Sequence, residues 1–575
     1  MSIRTDLLIL LLILTPLACG PQESGLPDGD PPEARWEIVD RVVPVKGENG
    51  MVVSGHPLAS NAGAQVLQQG GNAIDAAAAI GLALAVVAPD AGNLGGGGFL
   101  VYRDADGKVE TLDYRETAPG RATPHMYLSD EGNPTEASLI GHLAAGVPGS
   151  VAGLYAMHQR HGSLAWSAVV TPAIELARGH ILDSARSTRL AESAEKLQRF
   201  STSRETFLVV GEPPGEGTRW EQPELAATLT LISKQGADAF YRGKIAELLV
   251  AEMERGKGLI TLEDLRAYRP VWRDPIEISY RGHTIYSMPP PSSGGVTLAQ
   301  ILNILEGFEE LPPAGSAELL HLQAEAMRWS FRDRNRHLGD PDFVAIPLDR
   351  LLSKDYAAGL RTRIDPRRAS ATPPTTEPTS EGDHTTHYSV VDSRGRAAAV
   401  TTTLNSLFGC GVTVAGAGFL LNNEMDDFTV APNRANQFGL VQGDVNAISP
   451  GKRMLSSMTP TIVVSGEGQL ELVLGTRGGP RIISSVFHVV SNLLDQRMRI
   501  GEAVGAPRVH HQALPDEILY EPDGLSEAQK TALQKMGHRL RRNSLTFGDV
   551  NTIWRNGDSW IGIADPRRSG AAVGY

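Results

Sequence analysis

The stretch from His384 to Asn405, HTTHYSVVDSRGRAAAVTTTLN, limits the fold more than any other part of this 575-residue chain. His387 to Val391 is rich in strand formers, Asp392-Ser393-Arg394-Gly395 is a turn cluster, and Arg396 to Leu404 is extended again, so the segment predicts a β-hairpin. Pro366 to Asp383 just before it is poor in apolar residues and rich in Pro, Thr and Ser, the composition of a loop. A loose segment therefore runs directly into a buried strand. Thr385 at that junction has two readings. Threonine is an ordinary strand residue. If the chain is cut between His384 and Thr385, however, the new α-amine, with a reference pKa near ~8, can take the proton of its own hydroxyl, and nucleophile and base share one residue. Thr403, on the return strand, faces back toward that start, either as a plain strand threonine or as a partner for the Thr385 hydroxyl.

The hairpin sits inside a longer ordered set of motifs. Downstream of TTHYSVVD and VTTTLN come LLNNEMDDF (Leu420 to Phe428), LSSMTPTIV from Leu455 and GTRGGPRI from Gly475. Upstream lie GGNAIDAAAA from Gly70, GNLGGGGF from Gly92, DYRETAP from Asp113, YSMPPPSSGG from Tyr286 and LGDPDFV from Leu338. In content and order this series resembles the gamma-glutamyltransferase (gamma-glutamyltranspeptidase) family, and so many matches in sequence are far more specific than one short motif.

The alternation of strand and helix segments indicates an α+β fold. The resemblance implies a four-layer αββα sandwich of the N-terminal-nucleophile hydrolase type, one unit built from two cleavage products, a large subunit 50–384 and a small subunit 385–575. It implies Thr385 as nucleophile, Thr403 as its hydroxyl partner, and the amides of Gly478 and Gly479 as the oxyanion hole, where glycine admits a developing oxyanion without obstruction. Arg115, Ser456 and Ser457 match positions that hold an α-carboxylate; Glu424 and Asp427, with Asn405 beside them, match positions that hold an α-ammonium. A guanidinium fork suits a carboxylate, and two carboxylates around one cation select a zwitterion. Phe438, in the loop 432–443 that resembles a lid, stands where the family pattern leads one to expect tyrosine, so a gate from a phenol hydroxyl to Asn405 is in doubt. The implied activity is transfer of a γ-glutamyl group from glutathione or a related amide to water, an amino acid or a peptide, without a cofactor. Two alternatives remain open: a glutaryl amide acylase like the cephalosporin acylases, and an uncut, lipid-tethered binding protein.

Residues 1–18 combine Arg4, an apolar run from Leu7 to Leu14 and small residues before Cys19, a pattern of export and too short to span a membrane. Cys19 followed by the Gly- and Pro-rich start of 19–49 resembles a lipoprotein junction, so the expected location is the periplasm, with a lipid anchor on Cys19 or plain secretory cleavage. Cys410 is the one other cysteine, which leaves no intramolecular disulfide if Cys19 is lipidated. The cysteine count excludes CxxC-type sites and the fifteen histidines show no HExxH-like spacing, so no metal is expected. A net charge of −13 argues against a nucleic-acid backbone as partner.

Other segments read as scaffold. Asn72 to Ala88 is small and apolar all round, a buried helix with Asp75 in its first turn. GNLGGGG lacks a GK[ST] ending and reads as close backbone packing rather than a phosphate loop. Phe99–Val109 and Thr111–Tyr114 read as paired strands, Ser292 to Gly295 as a cap on a helix from Thr297, and Ala317 to His337 as a helix without chemistry. Val412 to Asn422 reads as a strand, 461–475 as a second hairpin, 481–495 as a helix, and WIGIADPRRSGAAVGY as a single closing strand.

Overall fold

The computed structural model describes residues 38–372, 385–431 and 434–575; the predicted signal, Cys19 and His384 lie outside them. The hairpin forms as its pattern requires. Thr385–Val391 pairs antiparallel with Ala397–Thr403, Thr385 opposite Thr403. The turn is fixed by Asp392, whose carboxylate accepts the amides of Arg394 and Arg396 and also that of Ala73, which ties the turn to the helix Ala73–Val87.

Each hairpin strand buries both faces, and period two decides what each face meets. Tyr388, Val390, Ala398 and Val400 point to the helix Ala73–Val87, while Val391, Ala397 and Ala399 meet Val473 and Ile553 of a second sheet. The first sheet runs Ala571–Gly574, Met51–Ser54, Thr385–Val391, Ala397–Thr403, Gly97–Arg103, Val109–Asp113, Val271–Arg273. The second runs Val45–Gly47, Ser559–Ile563, Asn551–Asn556, Leu470–Gly475, Thr461–Val464, His283–Ser287, Ile276–Tyr280. Its outer face, including Ile278, Val463 and Leu474, packs on the helices Gly294–Glu306 and Arg481–Leu494. The result is the expected αββα stack. Both of these seven-stranded sheets mix strands from before and after Thr385, so neither segment alone completes either one.

The Gly-rich run after Asn93 packs backbone on backbone, as its composition suggested. A Cβ at Gly95 would lie 2.0 Å from the carbonyl oxygen of Leu420, and one at Gly96 2.1 Å from that of Thr403. These contacts press the end of the hairpin against the start of Gly97–Arg103. Asn72 and Asp75 close a reciprocal capping box, and the Asp75 carboxylate also accepts from Ser163, a structural role.

Four expectations are corrected. Val412–Asn422 is not a strand: Gly416 and Gly418 take positive φ and fold it into a loop closed by the bridge Thr413↔Leu420. The closing segment is two strands, one in each sheet, because the chain crosses layers between Ile563 and Ala571. The first Gly-rich strand ends at Arg103, where Asp104 begins the turn to Val109. The helix expected from Thr297 starts at Gly294, and Ser293 before it makes no side-chain cap: its hydroxyl donates to the carbonyl of Ser456 at 2.6 Å, while Ser292 Oγ accepts the amide of Gly294 and donates to the carbonyl of Met458.

Candidate active site

The first residue of the hairpin opens into a cleft lined by Arg115, Arg334, Thr385, Thr403, Asn405, Glu424, Asp427, Phe438, Ser456, Ser457 and Gly479 among others. Strand pairing places the two threonines opposite each other, and Thr385 Oγ1 donates to Thr403 Oγ1 at 3.4 Å. Thr403 Oγ1 also accepts the amide of Asn405 at 2.8 Å, so its oxygen is held from two sides. Asn405 lies at φ +75°, a left-handed turn that asparagine tolerates, and its side-chain amide donates to the carbonyl of Asn423. That bond links the nucleophile strand to the acidic turn Glu424–Asp427.

In this turn the charges are unevenly matched. Arg115, at the end of Val109–Asp113, lies 2.7 Å from Glu424 and 2.5 Å from Asp427 through its two terminal nitrogens, with Glu116 at 3.6 Å. Three carboxylates, those of Glu116 and Glu424 buried and that of Asp427 partly so, thus surround one guanidinium. Burial drives the pKa of Glu424 well above the carboxylate range, against the pull of Arg115. Burial likewise raises Asp427, and Glu116 to about 7. For Arg115 burial acts the other way, but the carboxylates outweigh it and keep the group charged. Both oxygens of Glu116 and Oε1 of Glu424 are buried without a hydrogen-bond partner, and Glu424 Oε2 has the ion pair with Arg115. Acids outnumber cations at this wall, so it favours an added cation. The resemblance assigns Arg115 to a carboxylate and the acids to an ammonium; in the ligand-free cleft they hold one another.

On the opposite wall the imbalance is reversed. Arg334, on the helix Ala317–His337, is 1% exposed and touches only neutral acceptors: Ser293 Oγ, Asn335 Oδ1, Gln442 Oε1 at 2.8 Å and Ser457 Oγ at 3.4 Å. Burial lowers its pKa to about 10, which leaves it a cation at neutral pH. Ser456 Oγ accepts the amide of Met458, and Ser457 Oγ accepts from Arg334, so both O–H groups can turn to a carboxylate. Nothing in the sequence singled out Arg334 or Glu116 as part of the cleft. Glu116 adjoins the matched Arg115, but Arg334 sits in a helix whose pattern reads as scaffold.

Gly478 and Gly479 adopt φ +128° and +56° just before the helix Arg481–Leu494, and their carbonyls accept the amides of Arg481 and Ile482. A Cβ on Gly479 would lie 2.9 Å from the Phe438 ring, so the turn tolerates nothing larger. The helix start offers amide donors and a positive dipole end to the cleft. Phe438 covers this turn, held by a bond from Gln512 Nε2 to its carbonyl at 3.1 Å. Its apolar ring has no hydroxyl to offer Asn405.

The gamma-glutamyltranspeptidase family model matches residues 59–575. The chain belongs to the gamma-glutamyltranspeptidase family. It is 44% identical over 545 residues to the glutathione hydrolase proenzyme of Escherichia coli strain K12, covering 93% of each chain. It is 39% identical over 542 residues to the acylase ACY 1 proenzyme of Pseudomonas sp. strain SE83, covering 92% of this chain and 94% of that one. The crystal structure of a cephalosporin acylase from Bacillus halodurans superposes with a TM-score of 0.82 at 27% identity, over 96% of this chain and 99% of that one. Both substrate classes named among these relatives are amides, and the walls of this cleft bear on the choice between them.

Proposed function

We propose that this gamma-glutamyltranspeptidase family member is an acyltransferase and glutathione hydrolase that cuts itself before Thr385 and then transfers γ-glutamyl groups to water, amino acids or peptides. The reading is carried by the three carboxylates around Arg115, which leave that wall of the cleft with more acids than cations beside a threonine pair. A γ-glutamyl group brings an ammonium to Glu424 and Asp427, and its α-carboxylate meets Arg115, Ser456 and Ser457. A glutaryl group brings no cation, so the acids favour the first substrate.

In the reaction, Thr385 Oγ attacks the γ-carbonyl carbon while its own α-amine takes the hydroxyl proton. The amides at Gly478 and Gly479 stabilise the oxyanion. The C–N bond breaks as the amine returns the proton to the leaving nitrogen, and water or an acceptor amine then attacks the Thr385 ester. Thr403 orients the Thr385 oxygen. Export and a lipid anchor at Cys19 belong to the same proposal, supported by the pattern of residues 1–19.

The experiment is release of p-nitroaniline from γ-glutamyl- and glutaryl-p-nitroanilide, with and without a dipeptide acceptor, by wild type and Thr385→Ala. Two bands on a denaturing gel and preference for the γ-glutamyl substrate are expected for wild type, and one inactive band for the variant. Equal use of both substrates selects the acylase. An uncut, inactive wild type selects the binding protein, and a Thr385→Ala chain still cut at the same bond assigns the cut to an outside protease.

A further inference from the structure

On the far side of the second sheet lies a buried cluster that this chemistry does not use. His321 and Glu325 stand four residues apart on the helix Ala317–His337 and share one face. His538 reaches them from the turn after Glu527–Lys535. Donor atoms of the three residues all lie within 4.8 Å of one another, and all three residues are buried. None of them lines the cleft around Thr385.

The hydrogen bonds fix the protonation of the pair. His321 Nε2 lies 2.8 Å from the carbonyl oxygen of Asp365; a carbonyl only accepts, so this nitrogen carries the proton and Nδ1 presents a lone pair. That lone pair faces His538 Nε2 at 2.7 Å. His538 Nε2 therefore carries the proton of that bond and donates it to His321 Nδ1. Glu325 Oε1 accepts from Arg328 Nε and from the amide of Ser370. Glu325 Oε2 is buried with no hydrogen-bond partner. Arg328 also pairs with Asp516, which faces His511. Two carboxylates against one guanidinium leave the neighbourhood with a net negative charge.

We propose that His321 Nδ1, Glu325 Oε2 and His538 Nε2 bind a divalent transition-metal ion of the zinc type. Two imidazoles and one carboxylate are a donor set that zinc accepts, with bonds near ~2.1 Å and donors about 3.4 Å apart in a tetrahedron. The imidazole nitrogens must part by roughly 0.7 Å to reach that spacing, and small side-chain rotations supply it. On binding, the single proton of the neutral His538 ring moves from Nε2 to Nδ1, which frees the Nε2 lone pair for the metal. The outer shell is already built: the Asp365 carbonyl orients His321, and Arg328 with the Ser370 amide orients Glu325. A water completes the coordination. His321 and Glu325 precede Thr385 and His538 follows it, so on the proposed cleavage the ion ties the two products together; the site itself does not depend on that cleavage.

The test uses the full processed protein, dialysed against a chelator and titrated with zinc chloride by calorimetry, with metal content of the isolated protein measured in parallel. One equivalent binding with a Kd of about 1 µM or tighter is expected. His538→Gln and Glu325→Gln should weaken it by about tenfold or more, while turnover of γ-glutamyl-p-nitroanilide, which reports an intact fold, stays unchanged. Exchange of the exposed His125 for Gln should leave zinc binding as it was. If a variant fails to fold, cobalt(II) on wild type decides: strong visible d–d bands of a four-coordinate ion support the site, and their absence overturns it. No zinc bound by wild type, or equal binding by His538→Gln, also overturns it and leaves a hydrogen bond between neutral imidazoles.

Discussion

Replacing Asp427 by Asn tests whether the acidic turn reads the ammonium. Asp427 lies 2.5 Å from Arg115, with its side chain 13% exposed. Its backbone carbonyl is held by Gln442 and Asn446, which the substitution does not touch. Asparagine keeps the shape and an acceptor oxygen but removes the charge, and Arg115 retains Glu424 and Glu116. The loss is then one charge-assisted bond to a substrate cation in a mostly buried site, about 2–3 kcal/mol. That corresponds to a fall in kcat/KM of roughly 30- to 150-fold for γ-glutamyl-p-nitroanilide. Glutaryl-p-nitroanilide has no ammonium and should change by less than about threefold. Initial rates of p-nitroaniline release across both substrates give the two ratios. If the substitution lowers both equally, or leaves the γ-glutamyl substrate untouched, Asp427 does not read the ammonium.

Three further outcomes are expected. Burial holds Glu424 and Asp427 above their usual range and Glu116 near 7 in the free cleft, and a bound ammonium favours their ionised forms. Substrate binding then releases protons, so the ratio of γ-glutamyl to glutaryl kcat/KM should rise as pH rises from 6 to 8; a flat ratio removes the acids from recognition. Arg334→Gln removes the cleft cation that has no carboxylate within ion-pair distance and should raise KM for γ-glutamyl-p-nitroanilide by about tenfold with little change in kcat; a fall in kcat alone would make Arg334 a support for the Ser456 loop only. Gly96→Ala puts a methyl group 2.1 Å from the carbonyl oxygen of Thr403, a backbone atom that cannot yield cheaply. The shift of Thr403 should slow chain cleavage by on the order of a hundredfold on a denaturing gel, and normal cleavage would show that the Gly-rich loop gives way instead.

Local pattern settled much of this protein. The hairpin 385–403, the buried helix Ala73–Val87, the Gly-rich close approach and the hairpin 461–475 all follow from rules of period, propensity and turn chemistry that act over a few residues. The ordered motifs also pointed to Thr385, Thr403, Arg115, Glu424, Asp427, Ser456, Ser457, Gly478 and Gly479. The structure brings most of these to one cleft, with the glycine turn at its edge. Their pairing was not legible, because an ion pair depends on distances between elements that a linear pattern does not contain. Arg115 bound to Glu424 and Asp427, Ser293 fastened to the Ser456 carbonyl, and Arg334 entering from a helix that reads as scaffold are each contacts across more than forty residues. The loop at 412–422 failed as a strand for the same reason: its apolar residues signalled burial, but the backbone path was set by Gly416, Gly418 and the bridge of Gly95 to Leu421. Sequence fixed which groups are present and which short segments they ride on; only the packing of two mixed sheets decided which charges face each other, because burial and proximity, not residue type, set their protonation.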